Sequence, residues 1–177
     1  MLLERMIRAA RLDRSVYSEL ERDSSANGQA FAVVLIVAVA TLLGVGVWNP
    51  WIAFQQCAFS ICGWLFWTAI AAFVGAKFGA PADFERLMRP IAFAHSPGVL
   101  AILALVPGLG WRVGLVAWLW TTVASVLAVQ EVFRMFTGRA VLTVLVTSAI
   151  VTAIGLLTGL TMGTMGIAVD RILPLNR

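Results

Sequence analysis

Side chains capable of acid–base or nucleophilic chemistry are few and scattered in this sequence. His95 is its one histidine, and Glu131 is a carboxylate near the end of a long apolar run. Ser96 follows His95 directly, but neighbouring residues on a helix point about 100° apart, so the two do not form a nucleophile–base pair. One histidine also excludes a two-histidine metal or haem site within the chain. We therefore predict no catalytic residue, no metal and no cofactor.

The other polar candidates lie at the ends of apolar runs. Arg134 follows Glu131 by about one helical turn, and Arg139 lies across the next turn of the chain. Together with His95 they form a candidate polar site, in which a structural role for Glu131 at the membrane interface is favoured over proton relay. Cys57 and Cys62 are separated by about 140° on a helix and cannot pair with each other, so we interpret them as packing residues.

The elements that must position these residues are membrane-spanning helices. Hydrophobic residues make up 60% of the 177 residues and charged residues 12%, against about 45–50% and about 25% in soluble domains. A water-soluble fold of this size cannot hide so much apolar surface. The net charge of +4 is carried at the ends of apolar runs, which indicates membrane topology and lipid contact and no nucleic-acid binding. The fold class is all-α, a polytopic membrane helix bundle.

Five apolar runs are long enough to cross a bilayer, which needs about 20 apolar residues. They cover residues of about 30–47, 51–76, 90–106, 111–133 and 140–169, within a transmembrane domain of residues 27–170. The third run is the weakest, because Ser96, Pro97 and Gly98 interrupt it with a kink. Four spans would result if that run were re-entrant. Residues 171–177 form a short tail, and the first span must direct insertion because no cleavable signal peptide is visible.

Basic residues predict the orientation, because Lys and Arg concentrate in cytosolic loops. With the N-terminus in the cytosol, ten basic residues lie inside and three outside. The inside group is Arg5, Arg8, Arg11, Arg14, Arg22, Lys77, Arg86, Arg89, Arg134 and Arg139. We therefore expect five spans with a cytosolic N-terminus and a C-terminus outside, in the cytoplasmic membrane of a bacterium.

The first 26 residues predict one basic amphipathic helix. Its apolar stripe consists of Leu2, Leu3, Met6, Ile7 and Ala10, and its basic residues are Arg5, Arg8, Arg11 and Arg14. Such a helix lies in the headgroup layer, where the arginines meet anionic lipid. A helix that docks on a partner protein has the same pattern, and the sequence alone leaves both interpretations open.

The strongest packing signal is a glycine stripe in the fifth run. Gly155, Gly159 and Gly163 recur every four residues, and Gly166 follows. Small residues at this spacing let helix backbones approach closely. The stripe predicts a helix interface, either within the chain or with other integral membrane proteins in a larger complex.

Several segments carry a family resemblance. They are residues 12–23 (LDRSVYSELERD), residues 93–100 (FAHSPGVL), residues 107–110 (PGLG), residues 118–120 (WLW) and residues 137–140 (TGRA). In this order they resemble the prokaryotic branch of the Yip-domain family (Ypt/Rab-interacting proteins), over residues of roughly 12 to 158. The resemblance implies five transmembrane helices, a cytosolic N-terminus and no catalytic motif.

Eukaryotic members of that family bind prenylated Rab GTPases, but their Asp-Leu-Tyr-Gly-Pro type of motif is absent from this sequence. Rab binding is therefore not expected, and membrane lipids are the expected partners. The leading hypothesis is a non-enzymatic accessory, scaffolding or membrane-organising component that acts through helix contacts. The alternative is a small oligomeric transporter or channel built around the kinked third helix. A third hypothesis is a membrane enzyme that uses His95 or Glu131.

Overall fold

A computed structural model describes the backbone of residues 1–46, 48–81 and 83–172, and side-chain surroundings as far as Thr158. Every regular element within these ranges is helical, which confirms the all-α fold class. The elements are α1 (Leu2–Ala10), α2 (Arg14–Arg22), a 3₁₀ turn (Ser24–Ala26), α3 (Asn27–Gly44), α4 (Pro50–Lys77), α5 (Phe84–Ala94), a 3₁₀ helix (Ser96–Leu105), α6 (Gly110–Phe133) and α7 (Thr137–Ile172).

Five stretches of the described chain are long and apolar enough to cross a membrane, as predicted. They are Ser24–Gly44, Pro50–Lys77, Phe84–Leu105, Gly110–Phe133 and Thr137–Thr158. Successive spans run in opposite directions, so the loops gather at two ends of the bundle. The basic end carries Lys77, Arg86, Arg89, Arg134 and Arg139, and the tryptophan end carries Trp48, Trp51 and Trp111.

The third span begins at Phe84, earlier than the predicted start at residue 90. Asp83 is the reason, because its side chain accepts a hydrogen bond from the Arg86 amide and caps the helix. Pro90 lies inside α5 and does not end it. The span becomes a 3₁₀ helix at Ser96, directly before Pro97. The charged stretch before residue 90 is thus continuous with the span.

The 3₁₀ helix explains how this interrupted run reaches across a bilayer. At 1.5 Å per residue the 11 residues of α5 rise ~16 Å. At 2.0 Å per residue the 10 residues of the 3₁₀ helix rise ~20 Å. The sum exceeds the ~30 Å hydrocarbon core. A full span is therefore available to the third run in spite of its kink.

The N-terminal region is a pair of helices where the sequence predicted one, and this prediction is corrected. Leu12 takes a left-handed backbone conformation with φ 62°, which turns the chain after α1. Asp13 then caps α2, its carboxylate accepting from the Ser15 amide. We call α1 and α2 together the N-terminal hairpin.

The largest fully buried side chains lie at the basic end of the molecule. Tyr17 and Leu20 of the hairpin are fully buried, as are Leu87, Ile91 and Phe93 of α5. These five residues belong to one apolar core. The hairpin is therefore packed into the bundle, and the third span, which is its main neighbour, is the most buried of the five.

Candidate functional site

The N-terminal hairpin is held together by a buried tyrosine and a network of ion pairs. The hydroxyl of Tyr17 donates to the Ala9 carbonyl at 3.1 Å, and burial raises the pKa of Tyr17. Arg5 contacts Glu19 at 2.6 Å and Asp23 at 2.8 Å. These contacts join the start of α1 to the end of α2, so the two helices form one unit.

Arg8 extends this network. It contacts Glu19 at 2.9 Å and Asp13 at 3.0 Å. Hydrogen bonds from Arg5 and Arg8 hold the pKa of Glu19 below its ordinary value. Hydrogen bonding from Ser15 and then from Arg8 similarly lowers the pKa of Asp13. Two of the four arginines predicted for the lipid surface are thus engaged by carboxylates of the hairpin.

The other two arginines predicted for the lipid surface are more exposed to the surroundings than Arg5 and Arg8. Arg11 is exposed. Arg14 is 56% exposed, with its guanidinium 3.7 Å from the carboxylate of Glu131. The outer face of α1 also leaves apolar side chains uncovered: Leu3 is 68% exposed and Ile7 is 45% exposed. This face carries apolar residues beside the exposed Arg11, which is the amphipathic character of an interfacial helix.

Arg89 fastens the hairpin to the third span. Its guanidinium donates to the carbonyls of Leu20 at 2.9 Å and Glu21 at 2.8 Å, and to the amide oxygen of Asn27 at 3.0 Å. The two carbonyls lie in the last turn of α2, where helix carbonyls lack internal partners. The sequence did not predict that Arg89 anchors the hairpin. An arginine in a basic loop gives no indication of which backbone carbonyls will accept its hydrogen bonds.

A cavity of about 330 Å³ lies between α3, α4, α7 and the kink of the third span. Its lining consists of Val34, Val37, Ala38, Thr41, Phe59, Ser60, Gly63, Trp64, Trp67, His95 and Val151. The cavity is open at one side, where the side chain of Phe59 is 79% exposed. Among these residues none is charged, so the site is built for an apolar molecule.

His95 is the last residue before the 3₁₀ helix, and its ring lines this cavity. Nδ1 lies 2.7 Å from the carbonyl oxygen of Ile91. A carbonyl oxygen only accepts, so Nδ1 must carry the proton and donate. In the neutral ring Nε2 is then an acceptor. No described group of the protein bonds to Nε2.

The kink residues are closely packed. Ser96 and Pro97 are buried, and the hydroxyl of Ser96 has no hydrogen-bond partner among the described residues. A Cβ at Gly98 would lie 2.7 Å from Cγ1 of Val37. Only glycine therefore allows α3 to approach the span so closely at this point.

The four residues of the candidate polar site lie apart. His95 is at the cavity in the middle of the third span, whereas Glu131 meets Arg14 of the hairpin. Arg139 donates to the carbonyl of Phe78 at 3.3 Å. Arg134 lines a polar cleft of about 570 Å³ at the basic end, together with Glu21, Arg22, Ser24, Asp83, Glu85, Arg86 and Arg89. The structure thus does not bring these four residues together at one site.

Only the first glycine of the predicted stripe can be compared with the structure. A Cβ at Gly155 would meet nothing within 4 Å. Gly159, Gly163 and Gly166 lie outside the residues whose side-chain surroundings are described. Close approach is observed instead at Gly44, where an added Cβ would collide with the backbone carbonyl of Ala101.

These features define a class of protein: an all-helical integral membrane protein with five spans and an N-terminal hairpin packed on the bundle. Within this class the chain belongs to the Yip1 domain family, whose model matches residues 13–160. This confirms the resemblance read from the sequence. No curated protein and no solved structure matches the chain.

Proposed function

We propose that this protein is a non-enzymatic component of a bacterial cytoplasmic membrane that organises other integral membrane proteins through contacts made by α7. The observation that carries this proposal is the exposure of residues 152–158, all seven of which are exposed. Seven helical residues cover about two turns and so point in every direction. Residues 152–157 therefore have no neighbouring helix among the described residues, and their exposed surface is available to a partner.

The composition of this surface suits helix association. Gly155 leaves an open spot on it, and the sequence continues the small-residue spacing at Gly159 and Gly163. In a bilayer, small residues at such positions permit the close backbone contacts that hold helices together. The hairpin complements this role: Arg11 and the exposed apolar face of α1 are suited to the lipid surface.

A photoreactive amino acid placed in α7 tests the proposal in the native membrane. Leu156 on α7 and Leu119 on α6 are both large exposed apolar residues and form a matched pair of positions. We expect the probe at Leu156 to form an adduct with a second integral membrane protein, and the probe at Leu119 to label lipid. Gly155→Leu should abolish the protein adduct, and Gly114→Leu should leave it intact, since an added Cβ at either glycine meets no described atom within 4 Å.

The native particle, extracted in mild detergent, provides the second measurement. A stoichiometric partner protein supports the proposal. A lone monomer or a homo-oligomer, or the same adducts from positions 156 and 119, would overturn it.

A small transporter or channel is the second candidate, and the irregular backbone of the third span favours it. Transport sites are often built where a helix is broken within the membrane. This function requires a water-accessible path past His95 and Pro97. Single cysteines at these two positions should then react with a membrane-impermeant maleimide from one side. Failure to react from either side would exclude a path.

A further inference from the structure

The cavity beside His95 has a composition that specifies its occupant. No charged side chain is among its lining residues. A phosphate headgroup placed there would lose its hydration without gaining a cation, which is strongly unfavourable. The occupant must therefore be neutral. The cavity volume of about 330 Å³ lies at the lower end of the ~300–1,000 Å³ typical of ligand pockets.

The polar groups around the cavity already have partners, with one exception. The hydroxyl of Thr41 donates to the Val37 carbonyl at 2.9 Å. The indole N–H groups of Trp64 and Trp67 donate to Met88 and Ser148, so these rings contribute apolar surface to the cavity. Nε2 of His95 remains an acceptor without a donor in the described part of the chain. In the hydrocarbon region no bulk water is present to supply one, so an unpaired acceptor is costly.

The location of the cavity indicates where the occupant comes from. It lies between spans, and His95 is near the middle of the span Phe84–Leu105. Phe59 lines the cavity and is itself exposed, so the cavity reaches the outer surface of the bundle. The site therefore fits an uncharged molecule that enters from the bilayer. This molecule must carry a hydrogen-bond donor close to its hydrocarbon chains.

We propose that this cavity binds one neutral membrane lipid with a free hydroxyl group, a diacylglycerol, whose hydroxyl donates to Nε2 of His95. Part of one of its two acyl chains fills the apolar space between Val34, Phe59 and Trp67, and the rest of the lipid stays in the bilayer. An ordinary phospholipid cannot place its charged headgroup at this depth, whereas a diacylglycerol has only the hydroxyl to bury. The proposal does not depend on the function proposed for α7, because the two surfaces share no residue.

The test uses the full-length protein in nanodiscs and three photoreactive lipids that share the same diazirine-labelled acyl chain. The first is the diacylglycerol, the second its methyl ether, and the third the corresponding phosphatidylcholine. We expect the diacylglycerol to label residues 34–41 and 59–67, as located by peptide mass spectrometry. The methyl ether should bind about three- to tenfold more weakly, the effect of losing one hydrogen bond. Phosphatidylcholine should not label these residues.

Two variants connect the labelling to the cavity. Gly63 lines the cavity, and an added Cβ there meets no described atom within 4 Å. A leucine at this position would therefore occupy the cavity, so Gly63→Leu should abolish labelling. Gly114 is equally open but lies on α6, away from the cavity, and Gly114→Leu should have no effect. His95→Phe should remove the difference between the diacylglycerol and its ether.

Equal labelling of the wild-type protein by the diacylglycerol and its ether would overturn the proposal, and so would labelling that persists in Gly63→Leu. The comparison of the three lipids requires no variant. It therefore decides the question even if His95→Phe does not fold.

Discussion

The indole N–H of Trp120 donates a hydrogen bond of 2.8 Å to the carbonyl oxygen of Ala10. Ala10 is the last residue of α1, where carbonyls lack partners within the helix, and Trp120 lies in the middle of α6. From Trp120, α6 runs ~20 Å further to its end. The hairpin therefore lies along the side of the bundle. Its outer apolar face is presented laterally, where lipid would be.

Replacing Trp120 with phenylalanine tests this anchor. Trp120→Phe keeps an aromatic ring and removes the donor, so the Ala10 carbonyl loses its partner. We expect the free energy for opening α1 to fall by about 1 kcal/mol, the net value of one hydrogen bond. Hydrogen–deuterium exchange of the α1 amides measures it. Trp118→Phe is the matched control on the same helix, since the Trp118 side chain is 62% exposed. Equal effects of the two substitutions would show that the hydrogen bond does not hold the hairpin.

Arg89 should be the stronger anchor of the hairpin. Its guanidinium donates to three oxygens and its residue is 5% exposed. Arg89→Met keeps the aliphatic stem but leaves the Leu20 and Glu21 carbonyls without their donor. We expect a loss of about 2–4 kcal/mol in local stability, since hydrogen bonds to charged groups exceed neutral ones and buried unpaired carbonyls add a cost. Exchange of the α2 amides reports this loss.

Arg86 provides the comparison for Arg89. Its side chain is 60% exposed, and it contacts Asp83 at 3.0 Å and Glu21 of α2 at 3.8 Å. Ion pairs of an exposed arginine contribute about 0–1 kcal/mol, so Arg86→Met should reduce the local stability of α2 by about 1 kcal/mol at most, clearly less than Arg89→Met. A loss at Arg86 as large as that at Arg89 would contradict the assignment of Arg89 as the anchor.

Low pH should loosen the hairpin. Hydrogen bonds from Arg5 and Arg8 lower the pKa of Glu19 from its ordinary value of 4.5. A carboxylate whose pKa is lower in the folded state stabilises that state fully above the unfolded pKa. This contribution is lost as the pH falls through the lower, folded value. We therefore expect faster exchange in α1 as the pH falls below about 4.5, after correction for the intrinsic rate.

The control for this pH dependence is another glutamate of the hairpin. Glu19→Gln should flatten the part of the pH profile that Glu19 contributes. Glu4→Gln should leave the profile unchanged, because among the described residues Glu4 pairs with the exposed N-terminal ammonium at 3.9 Å and not with Arg5 or Arg8. A profile that keeps its full slope in Glu19→Gln would exclude Glu19 as the titrating group.

The spans were predictable from the sequence because they depend on the local supply of apolar residues. The break between the first two spans falls at Asn49 and Pro50, since proline does not continue a preceding helix, and Asn49 caps α4 through the Trp51 and Ile52 amides. The start of the third span at Phe84 was missed, although an aspartate at position 83 is a helix-start signal. Asp13 offered the same signal for α2. A capping aspartate in the local sequence therefore determines where each of these two helices begins.

The site could be predicted only in part, because it depends on contacts between distant segments. The sequence singled out His95 and the kink, and the structure places His95 in the cavity lining and Gly98 against Val37, another lining residue. The sequence could not show that Glu131 contacts Arg14, because about 117 residues separate them. Hydrophobic periodicity and residue spacing describe only neighbours along the chain. The buried position of Arg5 could not be predicted from the sequence either. Its spacing fits a lipid-facing arginine as well as one paired with Glu19 and Asp23.

Glycine at position 44 should be essential for packing between α3 and the 3₁₀ helix. A Cβ there would collide with the backbone carbonyl of Ala101, which cannot rotate away as a side chain can. Gly44→Ala should therefore destabilise the protein by about 1–3 kcal/mol through overpacking, even though alanine is the better helix former. Thermal unfolding in detergent measures the loss. Gly114→Ala is the control, because its Cβ meets nothing within 4 Å, and helix propensity should make it neutral or slightly stabilising. If Gly44→Ala were as stable as Gly114→Ala, the two elements would not be in contact at this position.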